Sequence, residues 1–158
     1  MFRPMRRKHK AIENDAAKQL LITEKRGVFA VNGDDGYPYA IPVNFCYDEN
    51  DNKIYFHGSR VGHKAEALQK DDKVCFTVYG HETIKDEAWA PYMQSVVIFG
   101  RCHVITDAKK IDAKLRQLAM KYYPDTATMD EEIAQSGKAV QMYEIEIEHM
   151  TGKEIQER

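Results

Sequence analysis

The side chains best suited to chemistry crowd into "YFHGSRVGHKAEALQ", residues 55–69, which holds His57, Ser59, Arg60, His63 and Lys64. A strand pattern running from Ile54 to His57 stops at Gly58 and Ser59, and a helical pattern begins near Gly62, so this stretch predicts a strand-to-helix bend. Backbone N–H groups and the positive end of a helix dipole converge at such a bend, and an anion suits it. Lys64 falls in the first helical turn, where a cation opposes the dipole by about 0.3–1 kcal/mol. A bound phosphate turns that conflict into attraction. The bland alternative is a solvated basic turn in which Ser59 helps to cap the helix.

These residues need elements to position them. Ile12, Ala16, Leu20 and Leu21 recur at helical spacing, predicting an amphipathic helix from Ile12 to Lys25 that stops at Gly27. The period then changes to two. Residues 27–59 contain three strand-like segments divided by the turn sequences "NGDDG" and "DENDN", an antiparallel meander. In the middle segment Tyr37, Tyr39, Ile41, Val43, Phe45 and Tyr47 share one face and predict a core surface. Pro38 and Pro42 cannot donate to a ladder, so this strand should be bulged or lie at an edge, with backbone groups free to bind something else.

Further along, "KVCFTVY" sets Val74, Phe76 and Val78 on one face, and "QSVVIFGRCHVIT" sets Val96, Ile98, Cys102 and Val104 on one face, with a bulge expected at Gly100. Asp107 predicts an N-cap for a helix carrying Ile111, Leu115, Leu118 and Met120 and ending before Pro124. A second short helix is expected over Asp130 to Gln135, and a last strand sets Tyr143, Ile145 and Ile147 against Glu144, Glu146 and Glu148. Six mainly antiparallel strands with few helices predict an α+β chain, predominantly antiparallel β, built as a small β-barrel with peripheral helices. The loop over Gly80 to Ala90 carries the single tryptophan, Trp89, expected over a barrel end, on a partner subunit or against a cofactor.

Composition narrows the classes. The 158 residues predict a single domain with a short basic arm at residues 1–10, and a net charge of −2 argues against nucleic-acid binding. Neither a membrane span nor a signal-peptide pattern is read from the sequence, and a cytoplasmic location is expected. Cys46, Cys75 and Cys102 each fall in a predicted strand without metal or redox spacing, and the six scattered histidines give no zinc pattern, so buried free thiols and no metal site are expected. No hydrolytic triad is indicated.

The block from Pro38 to Lys64, "Pro-Tyr-x-x-Pro-Val-x-Phe" followed by "Tyr-Phe-His-Gly-Ser-x-x-Gly-x-Lys", resembles the flavin-binding split-barrel superfamily that includes pyridoxamine phosphate oxidase. It is most similar to the nitroimidazole-resistance branch, and the resemblance runs from about Met5 to Gly152. It implies a six-stranded split β-barrel and FMN, with FAD as the alternative, bound at the interface of a homodimer so that each flavin touches both subunits. Carried over, Pro42, Val43 and Asn44 lie along the isoalloxazine through backbone groups, and Phe56, His57 and Gly58 form the adjoining strand. Ser59, His63 and Lys64 hold the phosphate, Arg60 assists, and Ser95 and Val96 approach the flavin.

The implied activity is reduction of small aromatic or nitroaromatic compounds, with a nicotinamide nucleotide or another reductant as electron source. His57 is then a proton donor or a substrate anchor, or else a histidine satisfied within the barrel. The arginine and histidine set of true pyridoxamine phosphate oxidases has no counterpart in "EIEHMTGKEIQER", so vitamin B6 oxidation is not expected. A non-catalytic flavin sensor, or a barrel for heme or a deazaflavin, are the competing readings.

Overall fold

Seven strands form one antiparallel sheet in the order β2-β1-β5-β6-β7-β4-β3, curled into a half-barrel. The computed structural model describes residues 1–86, 89–123 and 125–156. In chain order come α1 (Asn14–Thr23), β1 (Arg26–Asn32), β2 (Pro38–Asn44), β3 (Cys46–Asp48), β4 (Lys53–Gly58), α2 (His63–Lys70), β5 (Lys73–Thr83), β6 (Tyr92–Val104), α3 (Ala108–Met120), α4 (Thr126–Ser136) and β7 (Gln141–Gln156).

The strand count differs from expectation because the middle segment of the meander breaks. Its alternation continues through Phe45, yet the chain leaves one edge of the sheet there and enters the other. Tyr39, Ile41 and Val43 pair with β1, whereas Cys46 to Asp48 pair with β4. Phe45 is fully buried at the crossing, and Tyr122 from the end of α3 holds its backbone: the phenol accepts from Phe45 N at 2.8 Å and lies 2.7 Å from Phe45 O.

The period-two faces otherwise fall where the sequence put them. Val74, Phe76 and Val78 of β5, with Val96, Ile98 and Cys102 of β6, are buried against Phe29, Phe56, Tyr143 and Ile145. Two positions depart. Tyr37 is 76% exposed because it precedes β2, and Val104, 45% exposed, yields the core to Ile105 as β6 ends. Met120, 56% exposed, likewise falls off the buried face of α3.

Pro38 and Pro42 lie on the edge strand, with no register shift in its pairing to β1. The expected bulge does occur at Phe99/Gly100, where β6 and β7 shift register. Gly100 permits it, since a Cβ there would run into the backbone oxygen of Glu146.

Asp107 caps α3 by accepting from Lys110 N at 2.7 Å. Asp125 caps α4 in the same way, accepting from Thr128 N at 2.7 Å, so this helix starts a turn earlier than expected and runs to Ser136. α1 buries Ala17, Leu20 and Leu21, and its approach is guided by Ile12 N donating to Gly152 O at 3.1 Å. The N-terminal arm lies on the sheet, with Phe2 stacked on His149 at 4.7 Å.

Candidate functional site

The transfer of the chain from β2 to β3 leaves a seam in the barrel. β4 pairs with β3 only from Lys53 to Tyr55, so Phe56, His57 and Gly58 bond β7 on one side and have no ladder partner on the other. β2 faces this gap as the opposite edge of the sheet and approaches β4 without pairing to it. Prolines in an antiparallel edge strand turn their nitrogens away from the neighbour, so Ala40, Pro42 and Asn44 direct backbone groups to the open side. Val43 instead turns its half-buried side chain toward the core. The seam is therefore a slot lined by unpaired backbone.

At the end of β4 the slot reaches the basic bend. Gly62, at φ +109°, reverses the chain into α2, which begins at His63 without a side-chain cap. Ser59 does not supply that cap, because its hydroxyl accepts from Val61 N at 3.2 Å. Among the described residues, the leading N–H groups of α2 thus have no side-chain acceptor.

Lys64 folds back from this helix beneath Gly58. Its Nζ stands 5.6 Å from the Phe56 ring centroid and 5.2 Å from that of Tyr143. A Cβ at position 58 would collide with this ammonium, which gives the glycine a packing reason. Burial holds the Lys64 ammonium below the ordinary lysine range, and no carboxylate forms an ion pair with it among the described residues. A half-buried cation without a counter-charge, next to an uncapped helix start, fits a phosphate.

The other two basic side chains are engaged elsewhere. His63 stacks on Tyr39 with centroids 4.1 Å apart, and its Nε2 lies 3.7 Å from Asp34 Oδ2. Arg60 is exposed, points its guanidinium toward Lys138 O at 3.5 Å, and borders a separate cavity of about 390 Å³ with His103 and Gln141.

His57 and Asn44 come together on one wall of a second, partly open cavity, of about 120 Å³, bordered on the other side by residues of α3, α4 and the segments that follow them. Although exposed, the His57 ring stands in a partly desolvated recess. Burial first, and the charge of Lys64 second, hold it below the ordinary histidine value of 6.5. The imidazole is therefore neutral at neutral pH and can donate from one nitrogen and accept at the other. The helical wall, Leu115, Tyr122 and Ile133 included, was not singled out from the sequence as part of any site, since its residues look like ordinary core positions.

Three residues stand apart from the slot. The Phe56 ring is fully buried, stacked on Tyr143 at 5.1 Å, so only its backbone faces the seam. Ser95 and Val96 sit in the middle of the sheet, paired on both sides with β5 and β7, and the Val96 side chain is fully buried. One copy of the chain does not bring them to the slot. Cys46 and Cys102 are buried free thiols, whereas Cys75 is half-buried. Burial pushes the Cys46 thiol up to about 12 and the Cys102 thiol higher still, so neither is a nucleophile. Trp89 is 70% exposed.

An antiparallel half-barrel with an open seam and a cationic corner defines the class of protein. The sequence profile of the pyridoxamine 5'-phosphate oxidase family matches residues 13–154, and the chain belongs to that family. Among solved structures it is similar to a candidate 5-nitroimidazole antibiotic resistance protein from Bacteroides thetaiotaomicron, at 20% identity and a TM-score of 0.76, covering 91% of this chain and 85% of that one. A FAD-binding protein from Mesorhizobium loti shares 20% identity at a TM-score of 0.66, with 92% and 96% covered. The FAD and heme binding protein from Mycobacterium smegmatis shares 21% at 0.70, with 92% and 72% covered. Such identities speak to the fold. A comparison with curated proteins finds no match. No helix among the described residues is long and apolar enough to cross a membrane.

Proposed function

We propose that the chain is an FMN-binding oxidoreductase that reduces small aromatic compounds, nitroaromatics among them. The observation that carries this reading is the open seam between β2 and β4 ending at the uncompensated Lys64 ammonium. Unpaired backbone at Asn44 and at Phe56 to Gly58 suits the hydrogen-bonding edge of a planar ring, and Lys64 with the first N–H groups of α2 suits its phosphate. When bound, a flavin supplies two-electron redox chemistry, accepting electrons from a reductant such as a nicotinamide nucleotide. In this arrangement β2 and β4 orient the ring, Lys64 anchors the phosphate, and neutral His57 holds the substrate or relays a proton to it at a ring nitrogen.

A homodimer belongs to the same reading. The outer sheet face carries Pro42, Val28, Thr77 and Val97 in one cross-strand row, and Tyr79 (61% exposed) and Phe99 (41% exposed) flank it. A second copy on this face covers apolar surface, and it alone could carry Ser95 toward the first copy's slot. FAD is a second reading, favoured by the cavity of about 390 Å³ next to Arg60, which offers room beyond the phosphate corner for an adenosine.

The absorption spectrum of the purified protein is the first test. Flavin bands support the reading, whereas a Soret band or a colourless protein that ignores added FMN overturns it. Chromatography of the released cofactor separates FMN from FAD, and sedimentation equilibrium reads the dimer. Anaerobic reoxidation of the reduced protein by a nitroimidazole should outpace that of free reduced FMN; an equal rate leaves a flavin-binding protein without this activity.

A further inference from the structure

The cavity beside His57 is bounded by two unlike walls. Its strand wall carries Asn44 and His57, and its helical wall carries Tyr122 of the α3 C-terminus together with Glu132 and Ile133 of α4. At about 120 Å³ it is of the size of the roughly 150 Å³ apolar cavity known to accept benzene. One ring fits such a space; the three fused rings of a flavin do not. It shares Asn44 and His57 with the seam and extends from there toward α3 and α4.

Its polar side chains are Asn44, His57, Tyr122, Tyr123, Glu132 and Ser136. The Tyr122 hydroxyl is committed, 2.6 Å from Lys25 O and 2.7 Å from Phe45 O, and has nothing left to donate inward. Glu132 is the one carboxylate lining the cavity among the described residues. The nearby Arg116 pairs with Asp112 at 3.1 Å and Asp130 at 2.6 Å instead, and Glu132 forms no ion pair among the described residues. Lys64 is not one of the residues lining this cavity. Glu132, an exposed residue, is the one negative charge of this lining among the described residues, and it favours a cation there.

We infer that this cavity is the substrate subsite, and that Glu132 selects single-ring compounds bearing a protonated amine or a cationic ring N–H over those bearing a carboxylate. The inference rests on the flavin reading for its role in catalysis, but the binding selectivity stands on the cavity alone. Neutral His57 does not repel a cation and leaves the charge preference to Glu132.

Calorimetric titration of the protein as purified, with benzylamine, benzyl alcohol and benzoate as probes at pH 7.5, tests it. Benzylamine should bind about fivefold more tightly than benzoate, the upper scale of one solvent-exposed charge contact. Glu132→Gln should bring the two within about twofold and leave benzyl alcohol unchanged. Ile133→Trp, which fills the cavity, should abolish binding of all three with flavin content intact. Equal affinities in the unaltered protein, a preference that survives Glu132→Gln, or unchanged binding in Ile133→Trp overturns the inference. A colourless protein that still prefers benzylamine defeats the flavin reading and keeps the subsite; a yellow protein without the preference does the reverse.

Discussion

Two groups of lysines in this molecule are treated in opposite ways. Beneath α3, Lys114 Nζ lies 2.6 Å from Asp48 and 3.2 Å from Asp51, and 4.3 Å from the Tyr55 ring centroid. Lys110 and Lys53 share Glu144 in the same region, Lys53 at 3.2 Å. The Lys114 hydrogen bond is the largest of the effects holding the Asp48 carboxyl below its usual range. At the other end of β4, Lys64 has two aromatic faces and no carboxylate. Buried charge is costly unless paired. Lys114 has two carboxylates and Lys121, just past α3, has the backbone oxygens of Leu21 and Glu24, whereas Lys64 has only aromatic faces among the described residues, which suits a cation that a ligand completes.

The contrast can be broken most strongly at Lys64. Lys64→Glu should lower FMN affinity by about 100-fold or more, read by fluorescence quenching, because it sets a negative charge beside the phosphate. Lys64→Met should lower affinity by about tenfold while leaving the urea midpoint unchanged or raised, because an uncompensated charge is removed from a half-buried place. A midpoint that drops with Lys64→Met would mean the lysine is structural after all.

Lys114→Ala should do the converse. Stability should fall by about 2–3 kcal/mol in urea denaturation, with FMN affinity unchanged, since Asp48 and Asp51 lose their hydrogen-bonding cation. Loss of flavin in a folded Lys114→Ala protein would erase the distinction between the two regions.

Acid should act on the paired region and alkali on the bare one. The folded-state carboxyl of Asp48 titrates below 3.8, so its stabilisation is present above that value and is lost as pH falls through the lower folded value. The Lys64 ammonium titrates below 10.5 in the free protein, so FMN affinity should decline with rising pH before an ordinary lysine deprotonates. Affinity that stays flat to pH 10.5 would count against Lys64 as the anchor. The smallest effect is expected from Arg60→Ala, less than about threefold in FMN affinity, because its guanidinium turns to Lys138 O.

Much of the architecture was legible in residue order. The prolines marked an edge, Gly100 a bulge and Asp107 a cap, because each depends on a few neighbouring residues whose backbone chemistry is local. Local patterns also concealed two features. The alternation from Tyr39 to Tyr47 reads as one strand, but the same face periodicity is kept while the ladder partner changes at Phe45. His63 and Lys64 are adjacent in sequence and equally basic in appearance, yet Asp34 lies beside one, and among the described residues no carboxylate pairs with the other. The wall around Glu132 went unseen for the same reason, since α4 and β4 are distant in the chain.

By itself, the sequence determined the antiparallel strands, the order of helices and strands apart from the break at Phe45, and the glycine-marked bend that holds Ser59, Arg60, His63 and Lys64. Those follow from spacing and backbone preference, which act within a few residues. The tertiary structure alone decided which cation stays unpaired, that β2 and β4 face each other across an open seam, and that Ser95 lies strands away from it. Each of these depends on which residues meet after the sheet curls, and that is settled by packing of the whole core.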